Sequence, residues 1–171
     1  MHSGNVKMAA PTKKKSVLFI CLGNICRSTM AEGIFQHLVK TNGLTDQWEI
    51  DSAALGGWHN GVPPDDRTMR TLKKNGITGY KHLGRQIKKA DFHDFDVIFG
   101  MDEDNMSELD EIKPKSCRSK LLMLGECDPE GELIIEDPYY GNNIKDFEKV
   151  YEQCHRACNH FLQNSDKFLS S

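Results

Sequence analysis

The sequence predicts an α/β protein, a three-layer α/β/α arrangement around a central parallel sheet of about four strands. Two observations predict it. Short apolar runs that read as buried strands alternate along the chain with amphipathic helical segments, and the first such strand passes through a glycine-containing turn directly into a helix. A length of 171 residues without internal repeats suits one domain, large enough to bury a continuous core.

Taken in order, residues 1–15 are small and polar and carry the run Lys13-Lys14-Lys15, which reads as a disordered, solvated leader before a single domain over residues 16–168. Val17-Leu18-Phe19-Ile20 is the continuous apolar run of a central strand. After the turn-like Gly23-Asn24, the pairs Met30/Ala31, Ile34/Phe35 and Leu38/Val39 recur every four residues and predict a helix. Trp48 to Ala53 is strand-like, and Asp66 to Asn75 is helical with a stop at Gly76. Phe95 to Phe99 reads as a strand before an acidic helix around Glu103 to Asp110, and Lys120 to Leu124 as a weaker strand. Phe147, Val150, Tyr151, Cys154, Ala157, Cys158, Phe161 and Leu162 mark one face of a long C-terminal helix.

Bulk properties narrow the function. A net charge of −3, from 22 basic and 25 acidic residues well mixed, builds no field for nucleic acid or an anionic membrane. No apolar run has the length of a signal peptide or a membrane span, so a cytoplasmic protein is expected, and a monomer is expected beside it. The six cysteines (Cys21, Cys26, Cys117, Cys127, Cys154, Cys158) follow no zinc-ligand spacing and read as reduced thiols.

The segment Cys21-Leu22-Gly23-Asn24-Ile25-Cys26-Arg27-Ser28 lies where a ligand is expected, between the carboxyl end of the first strand and a helix N-terminus. A bent loop there aims backbone N–H groups inward and adds the positive helix end, which suits phosphate. Cys21 and Arg27 bracket five residues, so that the guanidinium and the amides can embrace the same oxygens above the sulfur. The same field favours a thiolate nucleophile. A strand-end cysteine alone is usually a packing residue, but the arginine, glycine and helix start at these offsets point to chemistry. The loop matches neither nucleotide-binding glycine motif, so no cofactor is implied. No metal is expected, since cysteine and arginine supply nucleophile and charge stabilisation. Cys26 is either a resolving thiol for an oxidised Cys21 or a small packing residue.

These eight residues resemble the signature loop of the low-molecular-weight protein tyrosine phosphatases. Asp51-Ser52-Ala53, Pro63-Pro64-Asp65, His82 with Arg85-Gln86, Met101-Asp102-Glu103 and Glu136-Asp137-Pro138-Tyr139-Tyr140-Gly141 resemble that family in order, across residues 16 to about 162. The resemblance implies hydrolysis of phosphotyrosine proteins and small aryl phosphates through a phosphocysteine on Cys21, with inorganic phosphate as product. It implies that Arg27 holds the phosphate and that Asp137 protonates the leaving oxygen and then activates water. It implies cleft walls from Leu22, Trp58, Tyr139 and Tyr140, a hydrogen bond from Ser28 to Cys21, and a bracing network with Asn24 and His82, supported by Ser52 and Asp102. Tyr139 and Tyr140 are also candidate phosphorylation sites.

One departure stands at Thr29, where the family usually has proline; Thr29-Met30-Ala31-Glu32 reads as a capping box, so a small change in loop rigidity is expected. Two rivals remain. A thioredoxin-coupled arsenate reductase uses a similar loop, but Cys117 and Cys127 lie too far along the chain for its usual relay pair. A non-catalytic phosphate-binding scaffold has no reason to keep an acid.

Overall fold

In the computed structural model, which describes residues 13–170, the first apolar run becomes one of the two inner strands of the sheet. The elements are β1 (Lys15–Cys21), α1 (Arg27–Thr41), β2 (Trp48–Ala54), α2 (Asp66–Lys74), α3 (Asp91–Asp94), β3 (Val97–Gly100), α4 (Glu103–Ile112), β4 (Lys120–Met123), α5 (Ile144–Gln163) and α6 (Ser165–Leu169). All strand pairs are parallel, in the order β2-β1-β3-β4. Because β1 is flanked on both edges and covered on both faces, Val17 to Ile20 are fully buried, as a continuous apolar run requires.

Strand alternation divides the core. Val17, Phe19 and Cys21 turn toward the face covered by α1, α2 and α5, whereas Leu18 and Ile20 meet Phe92 of α3 and Leu109 of α4. Phe19 packs against Phe35 and Phe99 at centroid distances of 5.8 Å, and Phe161 of α5 closes on Phe99 at 4.9 Å. Each such ring, fully buried, stabilises the fold by about 1.5–3 kcal/mol. The chain leaves β1 toward β2 on one side and reaches β3 on the other, so a crevice opens at the carboxyl end of β1.

The boundaries differ from the sequence expectation in informative places. Lys15, assigned to the leader, is already paired with Trp48 in β1; residues 1–12 of that leader lie outside the described residues. Phe95 does not join β3, because it ends the short helix α3, its N–H donating to Asp91 O. Leu124 starts a 3-10 turn that closes β4. Among the described residues, no helix is long and apolar enough to cross a membrane.

Candidate active site

Between the end of β1 at Cys21 and the start of α1 at Arg27 the chain curls through five residues. Asn24 takes φ 58°, the one non-glycine residue with positive φ among those described, a conformation asparagine tolerates better than most. Cys26 occupies the N-cap of α1 without a side-chain cap, so the opening N–H groups of the helix are left to the loop. The expected capping box is therefore absent. Thr29 Oγ1 donates to Cys26 O at 3.0 Å, and Glu32 turns into the protein instead of reaching back.

The hydrogen-bond directions around Cys21 follow from chemistry. Asn24 Oδ1 can only accept, and it takes His82 Nε2–H at 2.7 Å and the Arg85 N–H at 3.3 Å. Asn24 Nδ2 can only donate, and it gives to Ser28 Oγ at 2.8 Å and Ser52 Oγ at 2.9 Å. With its oxygen already accepting, Ser28 directs its O–H to Cys21 Sγ at 3.0 Å, and its backbone N–H lies 3.4 Å from the same sulfur. The Ser28 hydroxyl and the Ser28 backbone N–H thus converge on one sulfur. Ser52 in turn donates to Glu32 Oε1 at 2.7 Å.

Arg27 is 2 % exposed. Its Nη1 donates to Asp102 Oδ2 and to Ile135 O, which pins one end of the guanidinium. Asp102 is itself the N-cap of α4, its Oδ1 accepting from Asn105 N at 2.8 Å, so the pin is rigid. Nη2 lies 3.6 Å from Asp137 Oδ2, and the buried Nε has no partner among the described residues. Nε and Nη2 form the edge of the fork that can grip two phosphate oxygens. Burial works against the charge, but Cys21, the Asp102 hydrogen bond and Asp137 outweigh it, and the Arg27 pKa is raised.

Above the loop is a cleft of about 340 Å³ lined by Cys21, Leu22, Gly23, Ile25, Cys26, Trp58, His59, Asp137, Tyr139 and Tyr140. All four expected walls are there, but Trp58 and Tyr140 are 70 % and 77 % exposed and form a lip more than a lining. Trp58 lies against Gly56, where an added Cβ would come within 1.9 Å of the indole, which accounts for the glycine at that position. His59 also faces the cleft and was not anticipated; nothing local distinguishes it from a loop histidine. Cys26 is buried, and burial first, then the charges of Asp65, Cys21 and Asp137, push its thiol pKa up.

The network ends on a residue that sequence reasoning misread. Glu32 Oε1 accepts from Ser52 and from Tyr80 OH at 2.6 Å, with His82 Nδ1 at 3.2 Å. Burial raises its pKa from 4.5 to about 7, against the lowering effect of the Tyr80 and Ser52 hydrogen bonds, and burial lowers that of His82. Folded Glu32 thus holds its proton more tightly than the unfolded chain does. Its contribution is full below pH 4.5 and is lost as pH rises to about 7. Wild type should accordingly lose about 3 kcal/mol relative to Glu32→Gln across that window, read by urea unfolding at a series of pH values; parallel pH curves would refute the assignment.

Glu32, Asp51 and His82 place three atoms of metal-ligand type within 4.8 Å of one another. Those carboxylates already serve hydrogen bonds, Glu32 to two hydroxyls and Asp51 Oδ2 to Arg85 Nε at 3.0 Å. Cys117 packs on one face of the sheet and Cys127 on the other, so they form no relay pair.

The family model for low molecular weight phosphotyrosine protein phosphatases matches residues 16–170. The human protein of that name is 49 % identical over 153 residues, which are 88 % of this chain and 96 % of the relative. Among solved structures, Primo-1 is 49 % identical with a TM-score of 0.80, covering 87 % of this chain and 97 % of its own. A protein tyrosine phosphatase from Entamoeba histolytica is 31 % identical with a TM-score of 0.85, covering 91 % and 99 %. A loop of this geometry on this sheet, matched over nearly the whole chain, leads to one conclusion: the chain belongs to the low molecular weight phosphotyrosine protein phosphatase family.

Proposed function

We propose that in this protein tyrosine phosphatase Cys21 is the nucleophile, Arg27 the phosphate fork and Asp137 the proton donor. The carrying observation is the pinned guanidinium, whose buried Nε lacks a partner among the described residues, in the same loop as a sulfur that receives two donors from Ser28. The Cys21 thiolate attacks phosphorus in line. The phosphorus–oxygen bond to the aryl group breaks, and Asp137 gives its proton to the departing oxygen. The Asp137 carboxylate then takes a proton from water, whose oxygen attacks phosphorus; the sulfur–phosphorus bond breaks and inorganic phosphate leaves. Arg27 and the loop amides hold the equatorial oxygens in both steps.

Leu22, Trp58, Tyr139 and Tyr140 receive the phenyl ring of phosphotyrosine proteins or small aryl phosphates. The protein acts as a cytoplasmic monomer, without nucleic acid. With chelator present, kcat/KM should be about 10²-fold higher for a phosphotyrosine peptide than for its phosphoserine counterpart; equal values would sink the cleft assignment. In the same assay a peroxide pulse tests Cys26. Its thiol attacks the sulfenic acid formed on Cys21, water leaves and a disulfide forms. Dithiothreitol should then restore wild type but not Cys26→Ser, and equal recovery would remove that role.

A further inference from the structure

Asp137 stands on a stretch with no helix or strand of its own, between the 3-10 turn ending at Cys127 and the start of α5. Before the aspartate the stretch is fixed at Ile135, which is fully buried, its N–H donating to Met101 O and its carbonyl accepting from Arg27. After it, two successive fixings come from one side chain. Arg67 Nη2 donates to Tyr139 O at 3.1 Å, and Nη1 donates to Gly141 O at 2.9 Å. The aspartate and Pro138 are thereby spanned between Ile135 and Arg67.

Arg67 is held in turn. Its Nε and Nη2 pair with the two oxygens of Asp65 at 3.0 Å each, and the guanidinium lies over the Phe147 ring at 4.5 Å. Asp65 caps α2 by accepting from Arg67 N. Its own N–H donates to Ile25 O of the phosphate loop at 2.9 Å, and Thr68 Oγ1 donates to the same carbonyl at 3.3 Å. One clamp therefore joins the phosphate loop to the segment carrying the acid. An exposed ion pair would be worth little, but this guanidinium is one-quarter exposed, bidentate, stacked on a buried ring and bonded to two carbonyls.

We infer that Arg67, braced by Asp65, is a positioning residue that sets the distance of Asp137 from the leaving oxygen. The inference rests on the assignment of Asp137 as the acid. A lysine at this position cannot span Asp65, Tyr139 O and Gly141 O together, because it lacks the planar fork.

The test measures kcat/KM over aryl phosphates whose leaving groups run from dinitrophenol to phenol, for wild type, Arg67→Met, Arg67→Lys and Asp137→Ala. The methionine keeps an apolar stem over Phe147, the lysine keeps the charge, and thermal melting establishes that each is folded; the lysine variant carries the test if the methionine one does not fold. A weak leaving group needs the proton and a strong one does not. Each Arg67 variant should lose about 10-fold or more with phenyl phosphate and less than about 2-fold with the dinitrophenyl ester, a milder copy of Asp137→Ala. A uniform loss across the series, or none, against a steep dependence in Asp137→Ala would overturn the clamp and leave the acid in place. A flat series in Asp137→Ala as well would overturn the acid and the clamp with it.

Discussion

Cys21→Ser should lower kcat on aryl phosphates by at least about 10⁴-fold while inorganic phosphate still binds. A serine hydroxyl is scarcely ionised near neutral pH, and the groups that meet this position, Ser28 Oγ and Ser28 N, offer no base to activate it. The fold should survive. The site is 3 % exposed and the substitution changes one atom, so an oxygen still meets Ser28 and Asn24 keeps its four partners. Phosphate binding by calorimetry, beside turnover, separates lost chemistry from lost structure. Acid quenching of wild type during turnover of labelled substrate should trap phosphate on Cys21. Residual activity above about 1 % in a preparation free of wild type would place the nucleophile elsewhere.

Arg27→Lys should cost about 10³-fold in kcat/KM, although the charge is kept. The present side chain does two jobs with one rigid plane: Nη1 serves Asp102 and Ile135 O, and Nε with Nη2 remains for two oxygens. A lysine ammonium reaches one set or the other. Pulled toward Asp102 it abandons the phosphate, and pulled toward the phosphate it leaves a half-buried carboxylate unpaired, at about 1–3 kcal/mol in stability. The loss should appear in both kcat and KM, since the fork serves ground state and transition state alike. Retention of activity within about 10-fold of wild type would mean that charge alone suffices and that the bidentate reading fails.

The legible parts share a property. Val17 to Ile20 read as a central strand because burial on both faces leaves no polar position to alternate with. The helix after Cys26 and the long face of α5 read correctly because in each the apolar residues that pack into the core recur at helical spacing. Phe95 was misassigned because an aromatic residue suits a strand and a helix end equally well, and the four-residue α3 is too short for periodicity to reveal. Thr29 to Glu32 satisfied the spacing of a capping box, but burial drew Glu32 inward to Ser52 and Tyr80. The four expected wall residues border the cleft, yet their sequence context did not reveal that Trp58 and Tyr140 stand mostly in solvent.

By itself the sequence determined the alternation of strands and helices, and the loop in which a cysteine and an arginine six positions beyond it can face one anion. Both are local, written in side-chain period and in spacing over a few residues. Only the tertiary structure decided what holds that loop to its work. Arg27 meets Asp102 across 75 positions and Ile135 across 108, Ser52 reaches Glu32 across 20, and Arg67 reaches the segment that carries Asp137 across 72 and 74. Contacts at such separations depend on how the sheet brings its strand ends together and on which polar groups burial leaves in need of partners, and neither is encoded in any short stretch of chain.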